Sequence, residues 1–181
     1  MGTAKKLNGT LRDFISKQNM FFVATAAKDG RVNMSPKGMD SLKIIDDTHI
    51  LWLNLTGSGN ETAAHLLDTP RMTLMFCAFE GNALILRTYG TAKAIHPRDE
   101  GWQDALAHFP KMAGSRQIFE LEIDLVQSSC GTGVPFMDFV GDRGTEEMVK
   151  HWDDLGEEGV EKYWRRKNVE SLDGAPTGLF E

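Results

Sequence analysis

The chain has 181 residues, which suits one domain with a substantial core and some additional elements. Its formal net charge of -6 excludes a general electrostatic nucleic-acid binder, because no basic excess is available to neutralise phosphates. No apolar run approaches the roughly 20 residues of a membrane-spanning helix, and the N-terminus lacks the basic-then-apolar pattern of a signal peptide. We therefore expect a cytoplasmic protein that binds neither nucleic acid nor membrane.

The N-terminal part is predicted to form one helix followed by two hairpins. Apolar residues at helical spacing predict an amphipathic helix over 5–18 that covers a sheet, although Gly9 interrupts the pattern. The first hairpin turns at Lys28-Asp29-Gly30, where Asp-Gly supplies the positive φ of a tight turn. The four strands of the two hairpins are predicted over 21–27, 31–35, 42–45 and 49–55.

The rest of the chain alternates strands with short helices. A helix begins at Asn60 and ends before Pro70, because proline cannot continue the hydrogen-bond ladder. The apolar run over 71–79 predicts a central strand covered on both faces, and Gly90 allows a bend in the strand over 83–95. Clean alternation predicts another strand, with one solvated face, over 117–127. Further helices are predicted over 102–108, 145–152 and 157–168.

Few helices, short turns and about six strands predict a mainly β fold, in which an antiparallel sheet closes into a small barrel. We expect a barrel domain over 1–140 and a C-terminal helical extension with a tail over 141–181. In that extension Thr145 would be an N-cap, and Gly156 would separate the two helices.

Residues with metal-binding or redox chemistry are few. The five histidines are scattered, without HxH or HExxH spacing, so no metal site is predicted. Cys77 lies in an apolar strand, whereas Cys130 lies in a Ser/Gly-rich segment and is either a redox group or, as we favour, part of a structural turn.

The most informative segment is the glycine turn, Thr56-Gly57-Ser58-Gly59-Asn60-Glu61-Thr62, between a strand and a short helix. Ser58 and Glu61 have the spacing of a capping box. The remaining amides and the helix dipole favour a phosphate group at this position. The alternative is an ordinary capped helix that binds nothing.

Three segments together resemble the pyridoxamine 5'-phosphate oxidase-like superfamily of FMN-binding split barrels. They are GRVNMSPKG over 30–38, WLNL over 52–55 running into the glycine turn, and PRMTLMF over 70–76 followed by RTYG over 87–90. The similarity covers about 14–135. It implies a six-stranded antiparallel split barrel with short flanking helices, and a homodimer that holds FMN in a cleft between its protomers.

The resemblance also implies a set of cofactor-binding residues. The strand containing Asn33 would lie along the flavin ring and ribityl chain, and the glycine turn would hold the phosphate. Hydroxyl groups of Ser58 and Thr62 can donate to a phosphate, and Lys37 adds a positive charge. The candidate residues are Asn33, Met34, Ser35, Pro36, Lys37, Asn54, Ser58, Gly59, Asn60, Thr62 and Arg87. For Arg87, an ion pair that faces solvent is an alternative to cofactor binding that the sequence favours equally.

The departures from the superfamily pattern bear on the reaction. Gly59-Asn60 stands where the true pyridoxamine phosphate oxidases carry an Arg-Lys pair, and their C-terminal Arg-x-His motif has no counterpart here. Both departures argue against genuine vitamin B6 oxidase activity. The segment SSCGTGVP over 128–135 instead resembles a branch without an assigned substrate.

The leading hypothesis is an FMN-dependent oxidoreductase that transfers electrons between a nicotinamide or other donor and a small molecule. No catalytic acid or base is evident, and hydride transfer to a flavin depends more on orientation than on an ionising side chain. One alternative is a non-catalytic flavin- or haem-binding module. Another is a protein that binds a deazaflavin in place of FMN.

Overall fold

The computed structural model describes residues 2–180, and its main element is an antiparallel sheet of eight strands that curls around the core. The strands are β1 (Gly2–Ala4), β2 (Met20–Thr25), β3 (Asn33–Gly38), β4 (Leu42–Ile44), β5 (His49–Leu55), β6 (Arg71–Cys77), β7 (Ile85–Ile95) and β8 (Ser115–Ser129). They pair in the order β3-β2-β6-β7-β8-β5-β4, and β1 also pairs with β8. The predicted mainly β split barrel is confirmed, with eight strands in place of six.

Four α-helices within residues 2–180 pack around the sheet, and the first two contribute side chains to the core on its inner face. They are α1 (Gly9–Ser16), α2 (Glu61–Asp68), α3 (Trp102–Leu106) and α4 (Lys150–Lys167), and a π-helical turn over Thr145–Val149 precedes α4. The predicted break at Gly156 is confirmed, since this glycine has φ 71° inside α4. Thr145 is not an N-cap, because the π-helical turn begins without a side-chain cap. No helix within 2–180 is both long and apolar enough to span a bilayer.

The first helix begins later than predicted, at Gly9, because Asn8 caps it. The Asn8 side chain accepts a hydrogen bond from the Leu11 amide at 2.9 Å, which satisfies one of the free donors at a helix start. Ile15 then faces the sheet and is buried. The helix therefore covers one end of the barrel, as its apolar stripe predicts.

The core lies on the inner face of the curled sheet. Trp52 is buried there, with its ring stacked on Phe119 at 4.9 Å and edge-on to Phe21 at 6.4 Å. A second apolar cluster fills the space between α3 and the other face of β5 and β8, so that β5 is buried on both faces. β6, which was predicted to be covered on both faces, is buried on one face and half-exposed on the other.

The predicted bend in β7 lies at Gly90. The register between β7 and β8 shifts between Tyr89 and Gly90, as in a β-bulge. A Cβ atom at Gly90 would lie 1.9 Å from the carbonyl oxygen of Glu122, so a side chain is excluded there. This close approach allows the two longest strands to curl together.

Candidate functional site

The pleat of β3 divides its predicted residues between the two faces of the sheet. β3 pairs with β2 so that Asn33 lies opposite Thr25 and Lys37 lies opposite Phe21. Because Thr25 and Phe21 are buried on the inner face, Asn33, Ser35 and Lys37 share that face. Met34 and Pro36 alternate with them and are exposed on the outer face.

Asn33 connects β3 to the first turn of α2. Its side-chain amide donates to the Thr62 hydroxyl at 3.2 Å and to the Thr25 hydroxyl at 3.4 Å. The Thr25 hydroxyl is also 3.1 Å from Nδ1 of His65, which is buried in α2. The structure thus brings together two of the segments that the sequence singled out, β3 and the glycine turn.

The glycine turn has free backbone donors but no capping box. Asn60 occupies the N-cap position of α2 and makes no side-chain cap, while Ser58 is exposed. Glu61 does not reach back to Ser58, because both of its carboxylate oxygens accept from the Leu172 amide, at 3.0 and 3.1 Å. Within 2–180, the backbone amides over 57–62 donate no hydrogen bond. They are available to an anion at the N-terminus of α2.

Arg116 lies beneath the turn and was not predicted. It is 2% exposed, and its guanidinium donates to the Asn54 side-chain oxygen at 2.7 Å and to the Gly59 carbonyl at 3.0 Å. Burial lowers the pKa of Arg116 to about 9, so the group remains a cation at neutral pH. No carboxylate within 2–180 forms an ion pair with it.

Lys37 is a second cation in the same region. Its ammonium group lies 5.3 Å from the centre of the Trp52 ring. Burial, and secondarily the charge of Arg116, lower the pKa of Lys37 to about 8. Lys37 also has no carboxylate partner among the described residues. Two cations share this site without a counter-ion, which is the electrostatic arrangement that an anionic group would relieve.

Two predicted residues, Asn54 and Asn60, use their side chains inside the chain. Asn54 accepts the bond from Arg116 described above. Asn60 accepts from the Gln117 side chain at 2.6 Å and donates to the Asn168 carbonyl at 3.3 Å. Both asparagines are buried, so they hold the turn in place and can contact a ligand only through the backbone.

Arg87 lies apart from the other predicted residues. In the strand register Arg87 pairs with Met75, Met75 with Phe22, and Phe22 with Pro36, which places Arg87 on the outer face. Its guanidinium donates to the Ser129 hydroxyl at 3.2 Å. Within this chain, Arg87 and Lys37 are therefore on opposite faces of the sheet.

Residues from the C-terminal part of the chain hold the glycine turn from outside. The Trp164 indole donates to the Thr56 hydroxyl at 2.7 Å, and the Asn168 side chain donates to the Gly57 carbonyl at 3.0 Å. With the Leu172 amide on Glu61, these contacts form what we call the C-terminal clamp: Trp164, Asn168 and Leu172. Its members are more than a hundred residues from the turn, and no local sequence pattern indicates them.

Cys130 is exposed, as its Ser/Gly-rich surroundings suggest. Its sulfur lies 2.7 Å from the Thr132 hydroxyl, and the Thr132 amide also donates to it at 3.4 Å. These two bonds lower the pKa of the Cys130 thiol. They form a local turn, which is the interpretation that the sequence favoured, and a redox function stays a hypothesis.

Comparison with known proteins agrees with this geometry. Residues 7–130 match the family described as pyridoxamine 5'-phosphate oxidase. A curated relative, the pyridoxamine 5'-phosphate oxidase family protein ustO of Aspergillus flavus, is 33% identical over 191 residues, which cover 95% of this chain and 76% of the relative. The matched region includes both β3 and the glycine turn.

Two solved structures share the fold. A putative pyridoxamine 5'-phosphate oxidase from Lactobacillus delbrueckii superposes with a TM-score of 0.58 at 22% identity, covering 70% of this chain and 99% of its own. HupZ from Group A Streptococcus gives a TM-score of 0.54 at 18% identity, covering 73% of this chain and 99% of its own. On the family match and the curated relative together, the chain belongs to the pyridoxamine 5'-phosphate oxidase family.

Proposed function

We propose that the protein is a homodimeric FMN-binding flavoprotein that catalyses electron transfer to or from a small molecule. The observation that carries the proposal is the pair of cations, Lys37 and Arg116, without a carboxylate partner. Arg116 donates to the Gly59 carbonyl of the turn whose amides over 57–62 are free, and its charge acts on Lys37. A phosphate monoester would accept from those amides and offset both charges. Family membership makes the phosphate of a flavin mononucleotide the ligand that fits this donor set.

The residues divide into those that would contact the cofactor and those that position the contacts. The glycine-turn amides, the Ser58 hydroxyl and the Lys37 ammonium would hold the phosphate. Arg116 acts behind them, because it binds the Gly59 carbonyl and is itself buried. The backbone of β3 would lie along the flavin ring, and the bound cofactor would supply the hydride chemistry.

The homodimer is supported by the outer face of the sheet. Met34 is 64% exposed and Leu125 is 38% exposed, and the strand register places both on this face. Met34 is on β3 and Leu125 is on β8, so a partner that covers both would span five neighbouring strands of the sheet. A second protomer on this face would bring Arg87 and the outer side of β3, the terminal strand of the sheet order, to the interface, with the inner side of β3 at the proposed cofactor site.

The phosphate site is tested by Ser58→Asp, with Ser58→Asn as the matched control of similar size. A carboxylate about 4 Å from a phosphate costs roughly 1 to 4 kcal/mol, depending on the local dielectric, so FMN affinity should fall at least about fivefold. The asparagine variant should retain FMN. Occupancy is measured from the flavin absorbance of the purified proteins and from mass spectrometry of the heat-released ligand. Equal FMN occupancy in the aspartate variant and the wild type would refute the site.

Catalysis is tested separately from binding. The FMN-loaded protein is mixed anaerobically with NADH, NADPH or dithionite in separate reactions. Bleaching of the flavin absorbance band is followed with time in each. We expect one of the nicotinamides to reduce the flavin. Reduction by dithionite alone would contradict nicotinamide-dependent oxidoreductase activity and favour a flavin-binding module.

A further inference from the structure

A cavity separate from the candidate cofactor site lies outside the barrel, between α3, the segment over 107–115 and α4. Its volume is about 920 Å³, at the upper end of the range that small-molecule sites occupy. It includes none of the residues predicted to bind the cofactor. The apolar cluster of β5, β8 and α3 forms its floor, through Trp102 and Phe109. The cavity therefore contains no predicted cofactor-binding residue, although Trp164 and Gly114 of its lining are hydrogen-bonded to Thr56 of the glycine turn.

Tryptophans are concentrated in the lining of this cavity. Three of the four tryptophans of the chain contribute to it, and they are Trp102, Trp152 and Trp164. Phe109 and Phe180 also line it, and the Arg165 guanidinium lies over the Phe180 ring, 4.1 Å from its centre. Trp152 packs directly on Gly114, whose φ is 78°. A Cβ atom at Gly114 would lie 2.5 Å from the indole ring, so only glycine leaves room for the ring in this position. Tryptophan faces are the aromatic surfaces that attract cations most strongly.

Two carboxylates that are unpaired within residues 2–180 lie along the α4 side of the cavity. Asp153 and Glu157 line it on either side of the break in α4, and neither forms a hydrogen bond or an ion pair within the described part of the chain. Of the two cations in the lining, Arg98 is held by the carbonyls of Gly178 and Leu179, at 2.7 and 2.6 Å. The other is Lys111, which is exposed, and a third acid, Glu161, is bonded to Arg165.

We propose that this cavity is a binding site for a small organic cation, a hydrophobic amine or quaternary ammonium compound. The aromatic rings receive the apolar body and the positive charge, and the carboxylates of Asp153 and Glu157 provide the counter-charge. This assignment does not depend on the proposed flavin chemistry, since it requires neither the glycine turn nor Lys37.

The tryptophans make the site measurable in the full-length protein. The protein is titrated separately with benzyltrimethylammonium, with its uncharged isostere neopentylbenzene and with the anion benzenesulfonate. The intrinsic tryptophan fluorescence is measured at each addition. We expect saturable quenching by the cation at an affinity at least about tenfold above that of the other two, and weakening with added salt. Equal binding of the neutral compound, or no saturable response to the cation, overturns the assignment.

A double variant, Asp153→Asn with Glu157→Gln, tests the counter-charge. Both side chains are exposed on α4, so the fold should persist. The matched control, Asp138→Asn with Glu147→Gln, removes two exposed carboxylates that do not line the cavity. We expect cation affinity to fall at least about tenfold in the first variant and to stay within about twofold in the control. Retained affinity in the first variant, or an equal loss in the control, overturns the proposal.

Discussion

At the scale of single residues, Lys37 carries a charge in a place that disfavours it. Folding lowers its pKa from the ordinary value of 10.5 to about 8, because the ammonium group loses water and faces Arg116. Between those two values the unfolded chain binds more protons than the folded chain, so the stability contributed by this group rises with pH across that window. Below about pH 8 the folded chain bears the whole cost of the charge.

Replacing Lys37 with methionine should therefore stabilise the ligand-free protein. At pH 7 we expect the free energy of unfolding to rise by about 1 to 3 kcal/mol, and at pH 10 the gain should be smaller because the wild-type lysine is then largely neutral when folded. Urea denaturation at both pH values measures the difference between variant and wild type. The exposed Lys5→Met is the control and should change little. A gain that is the same at both pH values would rule out the charge as its source.

Some residues of the candidate site could be predicted from the sequence, and others could not. Asn33, Lys37 and Thr62 were proposed from family resemblance, and the structure brings the side chains of Asn33 and Thr62 into contact. Arg116 was missed because its role depends on a turn more than fifty residues away, whose carbonyl it binds. Ser58 and Glu61 have capping-box spacing, but the tail offers Glu61 a backbone amide that local sequence does not indicate.

At the scale of elements, the close contact between β7 and β8 depends on Gly90. Gly90→Ala places a methyl group on the Glu122 carbonyl, so the strands must separate or shift register. We expect a loss of at least about 2 kcal/mol of unfolding free energy in chemical denaturation, in the range of overpacked sites. Gly133→Ala is the control, since a Cβ there meets nothing within 4 Å. Equal stabilities of the two variants would show that the strands tolerate the displacement.

The C-terminal clamp is the other element whose effect can be isolated. Asn168→Ala removes the donor to the Gly57 carbonyl, and a lost bond of this kind costs about 1 to 3 kcal/mol. Hydrogen exchange followed by mass spectrometry should show faster exchange in the peptide that contains Thr56 and Ala64, whose amides are bonded to the carbonyls of Gly114 and Asn60 in the folded chain. Asn82→Ala, at an exposed position, should leave that peptide unchanged. Unaltered exchange in the Asn168 variant would mean that the turn keeps its shape without the clamp.

At the scale of the whole molecule, the outer face of the sheet predicts the assembly state. Sedimentation should give about twice the chain mass of 20.2 kDa, and Met34→Asp should shift the species toward a monomer and release bound flavin. Met34 is 64% exposed in a single chain, so a folding defect is not expected. Ile45→Asp, which adds the same charge at a 42% exposed position on the β4–β5 hairpin, is the control. A wild-type monomer, or a dimer in both variants, would contradict the interface.

The architecture was more predictable than the site because alternation and apolar runs are local signals. They located β5 through β8, and Gly156 correctly marked the break in α4. β1 was missed because Gly2–Ala4 is short and exposed, and is ordered only by pairing with β8. The half-exposed face of β6 was also missed. An apolar run predicts that both faces of a strand are covered, but it does not indicate whether a helix, a ligand or another protomer covers them.

The residues of the C-terminal clamp are synthesised well after the glycine turn that they hold. Trp164 follows Thr56 by 108 residues, so at synthesis rates of about 5 to 20 residues per second Thr56 is made about 5 to 20 seconds before Trp164. Throughout that interval the nascent chain contains every residue of the glycine turn but not the contacts that fix its backbone. Capture of a ligand at the turn should therefore follow the synthesis of the clamp residues, which come after the last strand of the sheet in the chain.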